Sequence, residues 1–225
     1  MTTRALAIFG SRARGDARPD SDVDLLALTD EDEVVTRRDG VVTLYMYPAV
    51  KMISDSRGGD LFAGHIALEA KALHDPGGLL VQIKEAFEPR RSYAHEVSQA
   101  ADLGWFLTDH AKAIFAPLAA RRMAWSVRTI LIAESAERGR PVFAPDELAK
   151  SSGSDAASTL LAAKDASRLD ERAGNWMGAF LLGRRAKNPL PNGDAEQFLE
   201  YFRATGNAVG VATATSKRTA DGYGA

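Results

Sequence analysis

Residues 8–28 constrain the fold and chemistry of this chain more than any other stretch. Their sequence, IFGSRARGDARPDSDVDLLAL, holds two apolar runs that flank a polar loop. The loop opens with Gly10-Ser11 and closes with Asp22-Val23-Asp24. Short apolar runs bounded by turn residues predict buried strands, here over 5–9 and 22–28. A brief helix is expected from Ser11 onward, because glycine and proline interrupt the loop soon after it.

The two aspartates are the strongest candidates for chemistry. Side chains at i and i+2 of a strand point to the same face, so Asp22 and Asp24 should project together. Val23 and Leu25 would then face the core. Carboxylate oxygens are the ligands that Mg²⁺ prefers, together with water and substrate phosphates. The pair therefore predicts a magnesium site at the start of the second strand.

The start of the loop suits a phosphate group. Gly10 allows the backbone to come close to a ligand, and Ser11 offers a hydroxyl and an N–H. A helix that begins there would direct its positive end at a triphosphate. Arg12, Arg14 and Arg18 could neutralise charge, or they could be solvated loop residues. Arg14 could also be a salt-bridge partner of the aspartates.

Composition excludes several classes of protein and site. The 225 residues include no cysteine, so disulfides and thiolate metal sites are impossible. The net charge is −2, and no part of the chain has the basic excess that is typical of nonspecific nucleic-acid binding. No apolar run approaches the roughly 20 residues that cross a bilayer. We expect a cytoplasmic protein with no membrane contact.

The pattern changes from mixed to helical near residue 92. Before it, residues 41–47 predict a third strand, hairpin-paired with the second, and residues 72–74 a short edge strand. Helical spacing predicts two short helices within 49–69 and one over 80–87. After it, helices are predicted over 94–114, 117–138, 146–150, 156–169, 173–185 and 195–204. The predicted domains are 1–92 and 93–205, with a flexible tail over 206–225.

The pairs Gly10-Ser11 and Arg14-Gly15, with Ser21-Asp22-Val23-Asp24-Leu25, resemble the signature of the polymerase β-like nucleotidyltransferase superfamily. The closer resemblance is to its small prokaryotic minimal and kanamycin-type members. It implies an α+β fold: a small mixed sheet with helices, then an all-α bundle. It also implies an NTP substrate, Mg²⁺ in a site for up to two metals, and transfer of an NMP group to an acceptor hydroxyl. The implied catalytic and metal residues are Asp22 and Asp24, and the implied nucleotide-binding residues are Gly10, Ser11, Arg14 and Ser21.

The chain departs from this family pattern at the third carboxylate. The family places an acid on the strand after Asp-x-Asp, but the strand predicted over 41–47 contains none. Asp39 precedes that strand, whereas Asp60 and Glu69 follow it, and Thr43 could line the place of the missing acid. Two functions stay open: an enzyme whose acceptor is a protein, an RNA end or a small molecule, or a nucleotide-binding regulatory protein that has lost catalysis.

Overall fold

A computed structural model describes residues 2–19 and 21–216 of the chain. The chain divides into two compact units. The first comprises residues 1–92 together with 135–144, and the second comprises 93–134 and 145–225. The segment 135–144 therefore groups with the N-terminal unit, although the sequence placed it in the helical domain. The model confirms the predicted α+β class, with the strands in the first unit and the second unit helical.

A five-stranded mixed sheet forms the centre of the first unit. The strand order is β3-β4-β2-β1-β5. β1 pairs antiparallel with β2 and β5, β4 pairs antiparallel with β3, and β2 and β4 run parallel. The strands are β1 (Thr3–Phe9), β2 (Val23–Thr29), β3 (Val35–Asp39), β4 (Val42–Pro48) and β5 (Lys71–His74).

The predicted hairpin between the second strand and residues 41–47 is wrong. β4 does follow a turn at Gly40, where φ is +55°, but its hairpin partner is β3. β4 then lies parallel to β2. The sequence analysis overlooked β3 because all five of its residues are exposed, so its charged sequence VTRRD carries no apolar alternation.

Four helices belong to the first unit before residue 92. They are α1 (Gly10–Arg14), α2 (Ala49–Arg57), α3 (Leu61–Glu69) and α4 (Leu79–Ala86). α2 and α3 match the two short helices that were predicted within 49–69. Asp60 caps α3 by accepting hydrogen bonds from Phe62 N and Ala63 N, both at 2.9 Å. Asp75 accepts from Leu79 N and Leu80 N at the start of α4.

The core of the first unit lies between one sheet face and these helices. Its sheet residues include Phe9 of β1 and Leu26 and Leu28 of β2. Strand alternation places Asp24 on this same face, because Asp24 is two residues before Leu26. The expectation that Val23 and Leu25 face this core is therefore wrong. Asp24 therefore lies on the core-facing side of β2, in line with Leu26 and Leu28.

The second unit is built from helices. α5 (Ala94–His110) ends in a 3₁₀ turn (Ala111–Ala113), and α6 extends as far as Glu137, where Gly139 with φ of +73° follows it. The helix predicted over 156–169 is shorter and ends at Ala162. The remaining helices are α6 (Ala116–Glu137), of which residues 135–137 group with the first unit, α7 (Pro145–Ser152), α8 (Asp155–Ala162), α9 (Ala173–Gly183), α10 (Ala195–Ala204) and α11 (Ala208–Ala214).

Part of the predicted flexible tail is ordered. Residues 208–214 form α11, in which Gly210 and Thr213 are buried. Asn207 caps this helix from a fully buried position. The tail prediction for 217–225 lies outside the described residues. No helix in the described ranges has both the length and the apolar character needed to cross a membrane.

Candidate active site

The pairing of β1 with β2 brings Gly10 against Asp24. Phe9, the last residue of β1, lies opposite Asp24 in the antiparallel register. Gly10 follows with φ of +72°, and a Cβ atom built there would lie 2.9 Å from Asp24 Oδ2. Glycine is therefore required both by the left-handed backbone and by the close carboxylate. The two ends of the sequence motif are neighbours in space.

Asp22 lies one residue before β2 and forms an ion pair that the sequence did not predict. Its Oδ1 accepts a hydrogen bond from Arg38 Nη2 at 3.2 Å. The Asp22 and Arg38 side chains are 31% and 42% exposed, so water and ions can reach both groups. Arg38 Nε also donates to the carbonyl oxygen of Gly40 at 3.3 Å, which ties the side chain to the β3–β4 turn.

Thr43 occupies the strand position beside Asp24. It is the register partner of Asp24 on β4, and Arg38 is the register partner of Thr43 on β3. Paired residues of neighbouring strands share a face, so Asp24, Thr43 and Arg38 form a row across three strands. Thr43 is buried, with 7% of its surface exposed. A threonine and an arginine therefore stand where a third acid was sought.

None of the three acids considered from the sequence joins Asp22 and Asp24. Asp39 follows Arg38 on β3, so alternation turns it to the opposite sheet face. Asp60 is the N-cap of α3. Glu69 bonds to Arg14 and His65. Across residues 2–19 and 21–216, no cluster of three aspartate, glutamate or histidine side chains could hold a metal ion.

The loop after β1 is organised by its own hydrogen bonds. The Ser11 carbonyl accepts from Gly15 N at 2.9 Å, which closes the five-residue helix α1. Arg12 Nη2 donates to the Ser21 carbonyl at 2.8 Å. Ser21 Oγ accepts from the backbone N–H of Arg18 at 2.8 Å. Of the predicted nucleotide-binding residues, Gly10 and Ser11 open α1, while Ser21 stabilises the returning loop.

Arg14 belongs to a partly buried ion-pair cluster. It donates to Asp16 at 3.1 Å and to Glu69, whose Oε2 also lies 2.8 Å from His65 Nε2. The Arg14, Glu69 and His65 side chains are 17%, 12% and 11% exposed. Arg14 thus joins α1 to α3, and the acids that it pairs with are Asp16 and Glu69.

The environment of Glu69 sets its protonation state. Burial works to raise the pKa of Glu69, but hydrogen bonds and charge from His65 and Arg14 outweigh it, so the pKa is lowered. The His65 ring stacks on Phe143 with 4.7 Å between ring centroids. His65 therefore contacts an acidic side chain through Nε2 and an aromatic ring through its face.

Asp22 and Asp24 are the side chains that could hold a divalent cation at this site. Two carboxylates suit Mg²⁺, which takes its other ligands from waters and substrate phosphates. The sequence motif predicted a role for these two aspartates, and Thr43 was considered for the place of the missing acid. Arg38 was not predicted, because β3 carries no pattern that would have assigned it to the sheet.

Comparison with known protein families gives a match to part of the first unit. A family model described as a nucleotidyltransferase domain matches residues 3–74, which run from the first residue of β1 to the last residue of β5. No curated protein sequence matches the chain.

Several solved structures also match. One is the crystal structure of a nucleotidyltransferase-like protein from Exiguobacterium sibiricum 255-15, at 13% identity and a TM-score of 0.32. The match covers 91% of this chain and 71% of that chain, but a likeness at this level does not identify a function. The family match is therefore the finding that bears on function. Residues 3–74 match the model of a nucleotidyltransferase domain, as the motif predicted.

Proposed function

We propose that the protein transfers an NMP group from an NTP to an acceptor hydroxyl. The acceptor oxygen attacks the α-phosphorus, a new P–O bond forms, the bond to the leaving pyrophosphate breaks, and the hydroxyl proton passes to solvent. The contact of Gly10 with the Asp24 carboxylate is the observation that carries this proposal. It brings Gly10, which we propose lies against phosphate, beside Asp24, which we propose binds the metal, within residues that match a nucleotidyltransferase domain.

Each site residue has a definite task in this reaction. Asp22 and Asp24 would hold Mg²⁺, and Gly10 and Ser11 would bind the β- and γ-phosphates. Bound Mg²⁺ would neutralise charge on the triphosphate and orient it. Ser21 shapes the loop that returns to Asp22. Arg14 would act on the nucleotide indirectly, by anchoring α1 to α3 through Glu69.

A second function is favoured by Thr43 and Arg38. With no third acid grouped with Asp22 and Asp24 in the described part of the chain, and with a guanidinium on Asp22, the chain could bind NTP as a regulatory protein without transferring it. Both functions predict NTP binding. They differ in whether the α-phosphate leaves the nucleotide.

The test is a transfer assay with α-phosphate-labelled NTPs, one base at a time, in the presence of Mg²⁺. The acceptors are total cell protein, RNA and a small-molecule pool. Label should reach one acceptor class, and Asp22→Asn and Asp24→Asn should each reduce transfer by roughly 100-fold or more. Asp39→Asn is the matched control, because it removes a carboxylate from the opposite sheet face. NTP binding without transfer to any acceptor would support the regulatory function.

A further inference from the structure

The charge arrangement around Asp22 differs from that of a two-metal site. Two-metal phosphoryl-transfer sites hold their ions about 3.5–4 Å apart, and each ion stabilises one of the reacting oxygens. Here the carboxylates at the site are those of Asp22 and Asp24, and one oxygen of Asp22 accepts a hydrogen bond from Arg38. The register partner of Asp24 is Thr43, which carries no charge. One cation fits this donor set, and a second lacks carboxylate ligands within the described residues.

Arg38 is placed to provide the missing positive charge. Its register position opposite Thr43 puts it in the same row as Asp24. Two of its nitrogens are used, Nε on the Gly40 carbonyl and Nη2 on Asp22. Nη1 has no hydrogen-bond partner among the described residues, and 42% of the side chain is exposed. A guanidinium held at one end in this way can donate its remaining N–H groups to a phosphate.

We propose that this site binds a single divalent cation and that Arg38 supplies the second positive charge, by donating from Nη1 to the α-phosphate. The proposal rests on the nucleotidyl transfer proposed above. Arg38 would neutralise charge on the non-bridging oxygens while the bond to pyrophosphate breaks. Thr43 leaves room for this contact, because its short neutral side chain neither binds a metal strongly nor pairs with the guanidinium.

If Arg38 only competes with the cation, the removal of Arg38 should change nucleotide affinity in the opposite direction. If Arg38 only competes with the cation for Asp22, its removal would strengthen binding of both metal and nucleotide. If Arg38 is a catalytic residue, its removal would strengthen metal binding to the free protein but weaken nucleotide binding. Nucleotide affinity therefore separates the two roles without any measurement of turnover.

The first experiment counts metal ions. Mn²⁺ is titrated into the full-length protein by electron paramagnetic resonance, with saturating α,β-methylene analogue of the preferred NTP. One Mn²⁺ per chain is expected for the wild type, and two for Thr43→Asp, which restores an acid beside Asp24. Two ions in the wild type would overturn the proposal but leave nucleotidyl transfer standing. Absence of both Mn²⁺ and nucleotide binding would overturn the transfer function as well.

The second experiment measures nucleotide affinity by competition with a fluorescent NTP analogue in the presence of Mn²⁺. Arg38→Ala should weaken the affinity by about tenfold or more, since hydrogen bonds to charged groups contribute about 1.5–3 kcal/mol. Arg38→Lys should recover part of the loss, because it keeps the charge without the planar fork. Arg37→Ala is the matched control, as alternation turns Arg37 to the other face of β3. Unchanged or tighter binding by Arg38→Ala would overturn the proposal.

Discussion

Gly10 has a left-handed backbone conformation and lies next to the carboxylate of Asp24. We predict that Gly10→Ala lowers the free energy of unfolding by about 1–2 kcal/mol, the usual cost of a left-handed backbone for a residue with a Cβ. The new methyl group would also displace Asp24 Oδ2, which lies 2.9 Å from its position. Mn²⁺ affinity should therefore fall together with stability, as measured by urea unfolding and by metal titration.

Gly15→Ala separates these two effects. Gly15 has φ of +91°, but a Cβ there would meet nothing within 4 Å. The variant should lose a similar amount of stability and keep its Mn²⁺ affinity. If both variants lose metal affinity equally, the contact between Gly10 and Asp24 does not organise the site.

Glu69 gives the protein a pH-dependent component of stability. Its pKa is lowered in the folded state, so the stabilisation is present above the ordinary glutamate pKa and is lost as the pH falls through the folded value. Glu69→Gln should cost about 2 kcal/mol at pH 7 and progressively less below pH 4.5, where the wild type loses the same charge. Urea unfolding at several pH values measures the difference. A cost that does not change with pH would show that the carboxylate charge is not involved.

Residues close together in the chain are the ones whose proximity could be predicted. Gly10 and Asp24 were expected at one site because a single loop joins β1 to β2, and their strands do pair. Arg14 was harder, because its partner Glu69 is 55 residues away and no local pattern links them. The partner of Arg14 is fixed by how α1 packs against α3, which only the folded chain determines.

At the scale of elements, apolar strands were predictable and exposed ones were not. β1, β2, β4 and β5 were each expected near their observed positions. β3 was missed because its five residues are all exposed, and this omission led to the wrong partner for β4. Arg38 lies on this edge strand, so its ion pair with Asp22 was not predicted either.

Helix α11 was also missed, because its sequence AVGVATA is short and lacks charge.

We predict that Asn207→Ala destabilises the second unit by about 2 kcal/mol. The Asn207 side chain accepts from Gly210 N and donates to the Gln99 carbonyl, each at 2.9 Å, from a fully buried position. Urea unfolding followed by tryptophan fluorescence would report it, since Trp105, Trp125 and Trp176 all lie in that unit.

Thr215→Ala provides the comparison for Asn207→Ala. Thr215 is exposed at the end of α11, and its hydroxyl bonds only within the helix. Its removal should change stability by less than about 0.5 kcal/mol. Equal effects of the two variants would indicate that α11 is not held by its buried cap.

At the scale of the whole molecule, the chain leaves the first unit at residue 92, returns to it over 135–144 and leaves again. Phe143 is 3% exposed and stacks on His65 of α3. We predict that Phe143→Ala destabilises the first unit by about 3 kcal/mol. Hydrogen exchange of peptides from β1 and β2 should become faster in this variant, and Arg140→Ala, at an exposed position, should leave it unchanged.

The division of the chain was only partly visible in the sequence. A shift from mixed to helical patterning placed a boundary near residue 92. The return of 135–144 gives no such signal, because the end of a long helix and an aromatic residue beyond it fit either unit. Unchanged exchange in Phe143→Ala would mean that this segment contributes little to the first unit.

The register that sets Phe9 opposite Asp24 allows the loop between β1 and β2 to change in length and sequence. Both ends of the intervening stretch are fixed by strand pairing, so its length is not what holds Gly10 against the carboxylate. Lengthening a closed loop is cheap, at about 0.6 kcal/mol for each doubling. New sequence inserted between Gly15 and Ser21 could thus change which acceptor molecules approach, while strand pairing keeps Gly10 and Asp24 in place. The loop can vary in length and sequence without a change in the two strands that hold it.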